Sequence, residues 1–413
     1  MPTLAPRYDM VLLGGGCASL SLLVRLIQSG QCKDKRFLVI DASDKKSNDR
    51  TWCYWEKGTG YFEEVVHHRW TSLDVKNYNV ELPLELDSYQ YKMIRGLDFY
   101  QHCHQIFQTC GQVDFLEAKL SGASFANRKL TLLVEGTSEP MEIESDLVFN
   151  SIPGLNGVES MSGEHLMNGA QAQSVVPVHA PGVVNLLQHF KGLIIDTTEH
   201  QFDPHHANLM DFRTDQQHGT TFFYVLPLST NRALVEYTLF SPALLSTEQY
   251  DEALGDYISN TLGIKNYRIV EEEFGIIPMT NYRFKFYDRG LYNIGTAGGQ
   301  TKGSSGYTYQ FIQKRTAQLA SILTRDSNWS GVEKKLRVLG KTPARFHFYD
   351  HVLLNVLHNH YLPGNQVFTR LFERNSAHQV FRFLDNETTL PEELKIISSL
   401  PTWPFLKAAL KTI

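Results

Sequence analysis

The segment "RYDMVLLGGGCASLSLLVRLIQSG", residues 7 to 30, constrains the fold more than any other part of the chain. "YDMVLL" is an apolar run of strand length, and Leu20, Leu23, Val24 and Ile27 then recur at helical spacing until Gly30. Between them, Gly14 and Gly16 fall on the first two glycines of a G-x-G-x-x-G pattern, with Ser19 in the third place. The first glycine permits a tight turn and the second lets a pyrophosphate approach the backbone, where the helix N-terminus offers free N–H groups. "RFLVIDAS" supplies a second buried strand ending at Asp41, an acid suited to hydrogen-bonding ribose hydroxyls. Strand, glycine turn, helix and strand make a parallel βαβ unit. The dinucleotide contacts expected from it are Gly14, Gly15, Gly16, Cys17, Ala18, Ser19 and Asp41.

A second strand-turn-helix pattern stands at "GLYNIGTAGGQTKGSSGYTYQFIQ", with its helix expected to open near Ser304. Gly295, Thr296, Ala297, Gly298 and Gly299 would face a second anionic part of the same cofactor. Two glycine turns so far apart favour FAD, an extended dinucleotide, over NAD alone. No second G-x-G-x-x-G follows a strand, so no dedicated NADPH domain is expected. Residues 91 to 110 read as a helix, 175 to 275 as mostly strand interrupted by a helix at about 246 to 262, and those after 320 as amphipathic helices. The expected architecture is α/β. A discontinuous FAD-binding Rossmann-type domain (1–45, 91–174 and 275–320) carries an inserted β-rich substrate domain (46–90 and 175–274), followed by a helical C-terminal region (321–413).

Composition narrows the partners. The net charge of −5 leaves no basic excess for neutralising phosphates, which argues against a nucleic-acid binder. Cys17, Cys32, Cys53, Cys103 and Cys110 are odd in number and form no CxxC, so neither disulfides nor zinc are expected, and a reducing, cytoplasmic setting fits. His347 and His351 stand four apart without HExxH or suitably spaced acids, so no metal site is expected. No signal peptide precedes the first strand and no apolar run is long enough to span a bilayer. The C-terminal "PTWPFLKAALKTI" places Trp403, Phe405 and Leu406 beside Lys407 and Lys411, a composition equally suited to a membrane surface and to packing between helices.

One acid stands out. In "RALVEYTLF", Ala233, Val235, Tyr237 and Leu239 face one way and Leu234, Glu236, Thr238 and Phe240 the other, so Glu236 lies in a strand whose two faces are both fit for burial. A buried carboxylate is costly unless it is paired, neutral or functional. From the residues alone, a structural role for Glu236, paired with a buried Arg or Lys or placed at an exposed edge, is favoured over catalysis. Glu271, Glu272 and Glu273 read as solvated or ion-paired, since a three-acid run puts side chains on both faces.

The stretches "YDMVLLGGGCASLSL", "DRTWCYWE", "MDFRTDQQHGTTFFYVLPLSTNRALVEYTLF", "EEEFGIIPMT", "GTAGGQTKGSSGYTYQFIQ" and "RFHFYDHVLL" resemble, in order and over nearly the whole chain, those of lycopene β-cyclases. The resemblance implies an FAD-binding fold similar to p-hydroxybenzoate hydroxylase. It also implies closure of the linear ends of lycopene into β-rings without net redox change, with reduced FAD and NAD(P)H as the electron donor. The family's catalytic glutamate falls on Glu236 and its threonine on Thr238, while Tyr237 stands where the family carries an acid and Gly303 where it carries proline. The substrate pocket expected on this basis includes Tyr224, Thr238, Gly275, Pro278 and Met279. The substrate, a membrane-soluble polyene, favours a cytoplasmic protein attached peripherally to the membrane. The rival readings are a redox flavoenzyme of the same fold, whether monooxygenase, halogenase or prenyl reductase, and a non-catalytic isoprenoid carrier.

Overall fold

The computed structural model describes residues 4–155, 160–161, 174–175, 181–325, 329, 331–339 and 343–412. Of the expected cofactor-domain segment 91–174, positions 156–159 and 162–173 lie outside the described residues, as do scattered positions between 326 and 342.

The first sheet is built on the strand Arg7–Leu13. It pairs in parallel with Met141–Asn150 on one side and Phe37–Asp41 on the other, and Val113–Glu117 and Leu291–Asn293 extend the parallel order outward. Met10 and Leu12 point into a core shared with the helices Cys17–Gln28 and Tyr309–Leu323, while Val11 and Leu13 point into a second core under the hairpin of Leu120–Ala126 and Lys129–Val134. Burial on both faces explains why this strand reads as a continuous apolar run rather than an alternating one.

The second sheet is mostly antiparallel, in the order Tyr267–Thr280, Asn185–Thr197, Arg232–Ser241, Thr220–Ser229, His206–Asp211, Ser72–Lys76 and Glu81–Leu84. On one face Val235, Tyr237 and Leu239 pack beneath the helix Thr247–Asp256 and the wider turn Tyr257–Thr261. On the other, Leu234, Phe240, Tyr224 and Met279 meet Trp55 and Tyr91 from a small three-stranded sheet, and Phe368 and Phe381 from the C-terminal helices. Two cores on opposite faces account for the two apolar faces of "RALVEYTLF".

The secondary structure differs from the sequence reading in two places. Tyr89–Arg95 is a strand paired with Thr51–Lys57, and the helix begins only at Gly96. The helix after the second glycine turn begins at Tyr309, not near Ser304. Separately, Tyr267–Thr280 runs as one unbroken strand across the domain division expected at 274/275.

Candidate active site

The first glycine turn is closed by its own residues. Gly14 adopts a φ of +90°, and a side chain there would collide with the Ser151 hydroxyl. The Gly15 N–H donates to Asp41 Oδ2 at 2.6 Å, and Asp41 Oδ1 accepts from Ser43 N–H at 2.8 Å. Asp41 therefore shapes the turn from the strand end where it was expected. Ser19 is fully buried and its hydroxyl donates to Ser151 Oγ at 3.0 Å, so this departure from the glycine pattern ties the helix to the neighbouring strand. Cys17 and Ala18 are buried in the same helical turn. At Gly16, which precedes the helix, no side chain caps the N–H groups and an added Cβ would meet nothing within 4 Å.

The second turn meets the first. An added Cβ at Gly295 would lie 3.1 Å from the Cβ of Ala18. Gly295–Gly298 coil into a short 3₁₀ turn, ended by Gly299 at a φ of +71°. Thr296 and Ala297 are half-buried within it. Gln300 accepts from the Gly295 N–H, yet its own amide Nε2 is buried without a partner, as are the Ser305 hydroxyl and Gln188 Oε1 close to Gly306. Orphaned polar groups beside an open helix N-terminus suit a bound dinucleotide, which would satisfy them.

Beyond this loop lies an acid-bearing chamber. Asn185–Thr197 runs between Arg232–Ser241 and Tyr267–Thr280, and its Gly192 is in register with Glu236 on one side and Glu273 on the other. A Cβ at Gly192 would lie 2.9 Å from Glu273 Cγ and 3.1 Å from its Oε1, so the glycine leaves room for the Glu273 carboxyl. The Thr238 hydroxyl donates to Glu236 Oε1 at 2.7 Å and the Thr51 hydroxyl to Glu273 Oε2 at 2.8 Å. Neither acid forms an ion pair among the described residues; Glu271 is claimed by Asn48 and Arg95, and Glu272 by Lys191.

Burial pushes Glu236 well above the usual carboxylate range; the charge of Glu273 adds to this, and the Thr238 hydroxyl opposes it. Glu236 retains some accessible surface. Protein nevertheless surrounds it deeply enough for lost hydration to dominate, so that surface faces a recess. Burial also raises Glu273, against the hydrogen bond it accepts from Thr51 and the lowering influence of the neighbouring Glu236. Cys53, Tyr91, Tyr224 and Tyr307 feel one another or the two acids, and burial raises all four, so they stay neutral. Trp55 packs edge-on to Tyr307 at 4.3 Å between centroids, and Tyr307 follows directly on the second glycine loop.

Of the pocket residues expected from sequence, Tyr224 sits opposite Glu236 in register, Thr238 touches it, and Met279 is buried in the adjoining apolar core. The space beside Gly275 is filled by the ring of Phe190, and Pro278 is buried farther along the same strand. The sequence reading missed Glu273, Thr51 and Gly192. Strand parity carried a signal for Glu273, which shares a face with Met279. A cleft of about 330 Å³ beside Thr51 is lined both by Arg95, Asp196, Arg232 and Glu271 and by Met93, Ile194, Leu228, Leu234 and Val270.

The model of the lycopene cyclase protein family matches residues 9–410. A lycopene beta-cyclase from Pantoea ananas is 24% identical over 421 residues, covering 99% of this chain and 98% of that protein. Among solved structures, a geranylgeranyl bacteriochlorophyll reductase-like protein from Thermoplasma acidophilum superposes with a TM-score of 0.60 at 13% identity, covering 98% of this chain and 99% of the other. A p-nitrophenol 4-monooxygenase from Pseudomonas putida gives 0.56 at 12% identity, covering 99% and 98%. The fold is thus the α/β fold of FAD-dependent hydroxylases, halogenases and related reductases, as the sequence led us to expect, and the chain belongs to the lycopene cyclase family.

Proposed function

We propose that the protein closes the linear ends of lycopene, or of a closely related carotenoid, into β-rings, with Glu236 as the proton donor. The observation that carries this reading is a carboxyl held protonated in an aromatic chamber, with no cation paired to it among the described residues. Alkenes are very weak bases, so the acid must be neutral at rest and close to its target. Glu236 gives its proton to the terminal C=C, leaving a tertiary carbocation. The neighbouring double bond attacks that cation and closes a six-membered ring, and loss of one ring proton sets the final double bond. One proton enters and one leaves, so no net redox change occurs.

The rings of Trp55, Tyr91, Tyr224 and Tyr307 exclude water from the cation. The two glycine turns, Gly14 to Ser19 and Gly295 to Gly299, would hold FAD, which in a reduced form maintained by NAD(P)H would supply negative charge against the developing cation. The substrate lives in membranes, and the last two helices support a peripheral attachment. Leu390, Leu394 and Ile397 are exposed at helical spacing on Leu390–Ser399, as are Trp403, Leu406 and Leu410 on Thr402–Thr412, where Lys407 and Lys411 flank them.

Expression in lycopene-accumulating cells tests the reading. The wild type converts the pigment to cyclic carotenoids, and Glu236→Gln loses about 10²-fold or more of the activity while still releasing flavin on denaturation. A Gln variant that cyclises at the wild-type rate overturns the assignment. Consumption of NADPH in proportion to product would point instead to a redox flavoenzyme.

A further inference from the structure

Resting on the reading of Glu236 as the acid, we infer that Glu273 is its positioning partner: the two carboxyls share a single proton across Gly192, and the pair takes a proton back when the ring is finished. Four observations meet here. Gly192 is paired in register with both acids, and the space above it is where Glu273 lies. Thr238 occupies Oε1 of Glu236 and Thr51 occupies Oε2 of Glu273, which leaves one oxygen on each carboxyl for the other. The two carboxyls shift each other in opposite senses, Glu273 raising Glu236 and Glu236 lowering Glu273, as a proton held on the Glu236 side requires. No cation neutralises either acid among the described residues, so two adjacent negative charges are disfavoured and one proton stays between them.

Such a pair is matched to a cationic intermediate. At rest it carries one negative charge. When the alkene π electrons take the proton, the O–H electrons remain on Glu236 and the pair becomes doubly charged. That state is costly alone but stabilised by the carbocation now beside it. When the ring C–H breaks, its electrons form the ring double bond and the proton returns to a carboxylate oxygen of the pair. Atoms and charge balance, and the resting state is restored without an outside base.

The other groups facing the pair are Cys53, Tyr91, Tyr224 and Tyr307, together with Glu271 on the strand of Glu273. Burial keeps the thiol and the three phenols neutral, so the shared proton is the group whose loss sets the alkaline limit of activity.

The test follows the infrared C=O stretch of a protonated carboxyl in the purified protein without substrate, between about pH 5 and 9, alongside kcat and KM profiles. In Glu273→Gln the band titrates about one pH unit or more lower, kcat falls with the alkaline limb shifted to match, and KM is little changed. Glu273→Asp recovers part of both. Thr51→Val, which removes a donor from the Glu273 carboxylate, moves the band and the limb the other way and covers the case where the Gln variant does not fold. A Glu273→Gln protein, or failing it a Thr51→Val protein, with the wild-type band and limb overturns the inference. If the band behaves as expected but the wild type leaves lycopene linear, the proton-sharing pair stands and the cyclase reading falls. If the wild type cyclises and the variants keep its band and limb, only the pair falls.

Discussion

Two clusters place carboxylates side by side: one is half-buried around a lysine, the other more deeply enclosed and without a cation among the described residues. In the small sheet, Glu56 and Glu63 both reach Lys92 Nζ, at 3.0 and 2.6 Å, and Lys92 is fully enclosed and also donates to the Gly58 carbonyl at 2.7 Å. In the large sheet, Glu236 and Glu273 face each other with only threonine hydroxyls as donors. Burial alone would raise Glu63. The hydrogen bonds from Lys92 and the Gly60 N–H, with the charges of Lys92 and Arg69, outweigh it and hold Glu63 below its ordinary value. At Glu236 nothing outweighs burial, and the acid keeps its proton. An inward acid with a cation is a structural pin; one without is a reservoir for a proton.

The largest effect expected from this contrast is on stability at the paired cluster. Lys92→Met removes the cation and leaves Glu56 and Glu63 facing each other, at a cost of about 3–5 kcal/mol, read from denaturant unfolding. A loss below about 1 kcal/mol would mean that the cluster is hydrated and weak, and the comparison would lose its structural arm.

Next in size is the pH dependence, where the clusters act in opposite directions. Glu63 is lowered in the native state, so its contribution is present above the ordinary value of 4.5 and is lost as pH falls through its native pKa. Glu236 is raised, so the native state holds a proton that the unfolded chain has released. Its contribution is present below 4.5 and is lost as pH rises towards its native pKa, at about 1.4 kcal/mol per pH unit. Glu236→Gln should therefore gain on the wild type with each pH unit between 4.5 and the native pKa of Glu236, as followed by thermal melts. Parallel melting curves across that range would mean that Glu236 is ionised at rest, against its role as the acid.

The parts legible in sequence were those fixed by near neighbours. The turn at Gly14 to Gly16 is announced by one contiguous run of strand, glycines and helix, although Asp41 and Ser151 complete it, and the family motif around Glu236 is likewise a contiguous run. Glu273 was hidden because its partner is reached only through strand pairing across Gly192, and register is not written in either segment. Read locally, "EEE" is a charge run, and two of its members do behave so, Glu271 with Arg95 and Glu272 with Lys191. The strand Tyr89–Arg95 carried a legible signal, since Tyr89, Tyr91 and Met93 alternate with Gln90 and Lys92, but it runs straight into the helix at Gly96 and reads as part of it. The late start of the last helix of the Rossmann core, at Tyr309, follows from the loop 302–306, where Lys302 is buried against Asp350 at 2.7 Å and the backbone turns back on itself.

The smallest effect sharpens the comparison from within the unpaired cluster. The fully buried Thr238 hydroxyl is a donor that favours the ionised form of Glu236, so it works against the acid's resting state. Thr238→Val keeps the shape of the side chain and removes that donor. The expected stability loss is about 1 kcal/mol, because Glu236 Oε1 loses its partner. Activity should respond in the opposite sense, its alkaline limb moving to higher pH as the proton is held more firmly. At lower pH the turnover should fall slightly, since a weaker acid donates less readily and the carboxylate formed in the step has lost a hydrogen bond. A variant with an unchanged limb would mean that Thr238 bonds to Glu236 without tuning it. The placement of that hydroxyl would then be a matter of strand packing, and the contrast with Glu63, where donors set the charge state, would no longer hold.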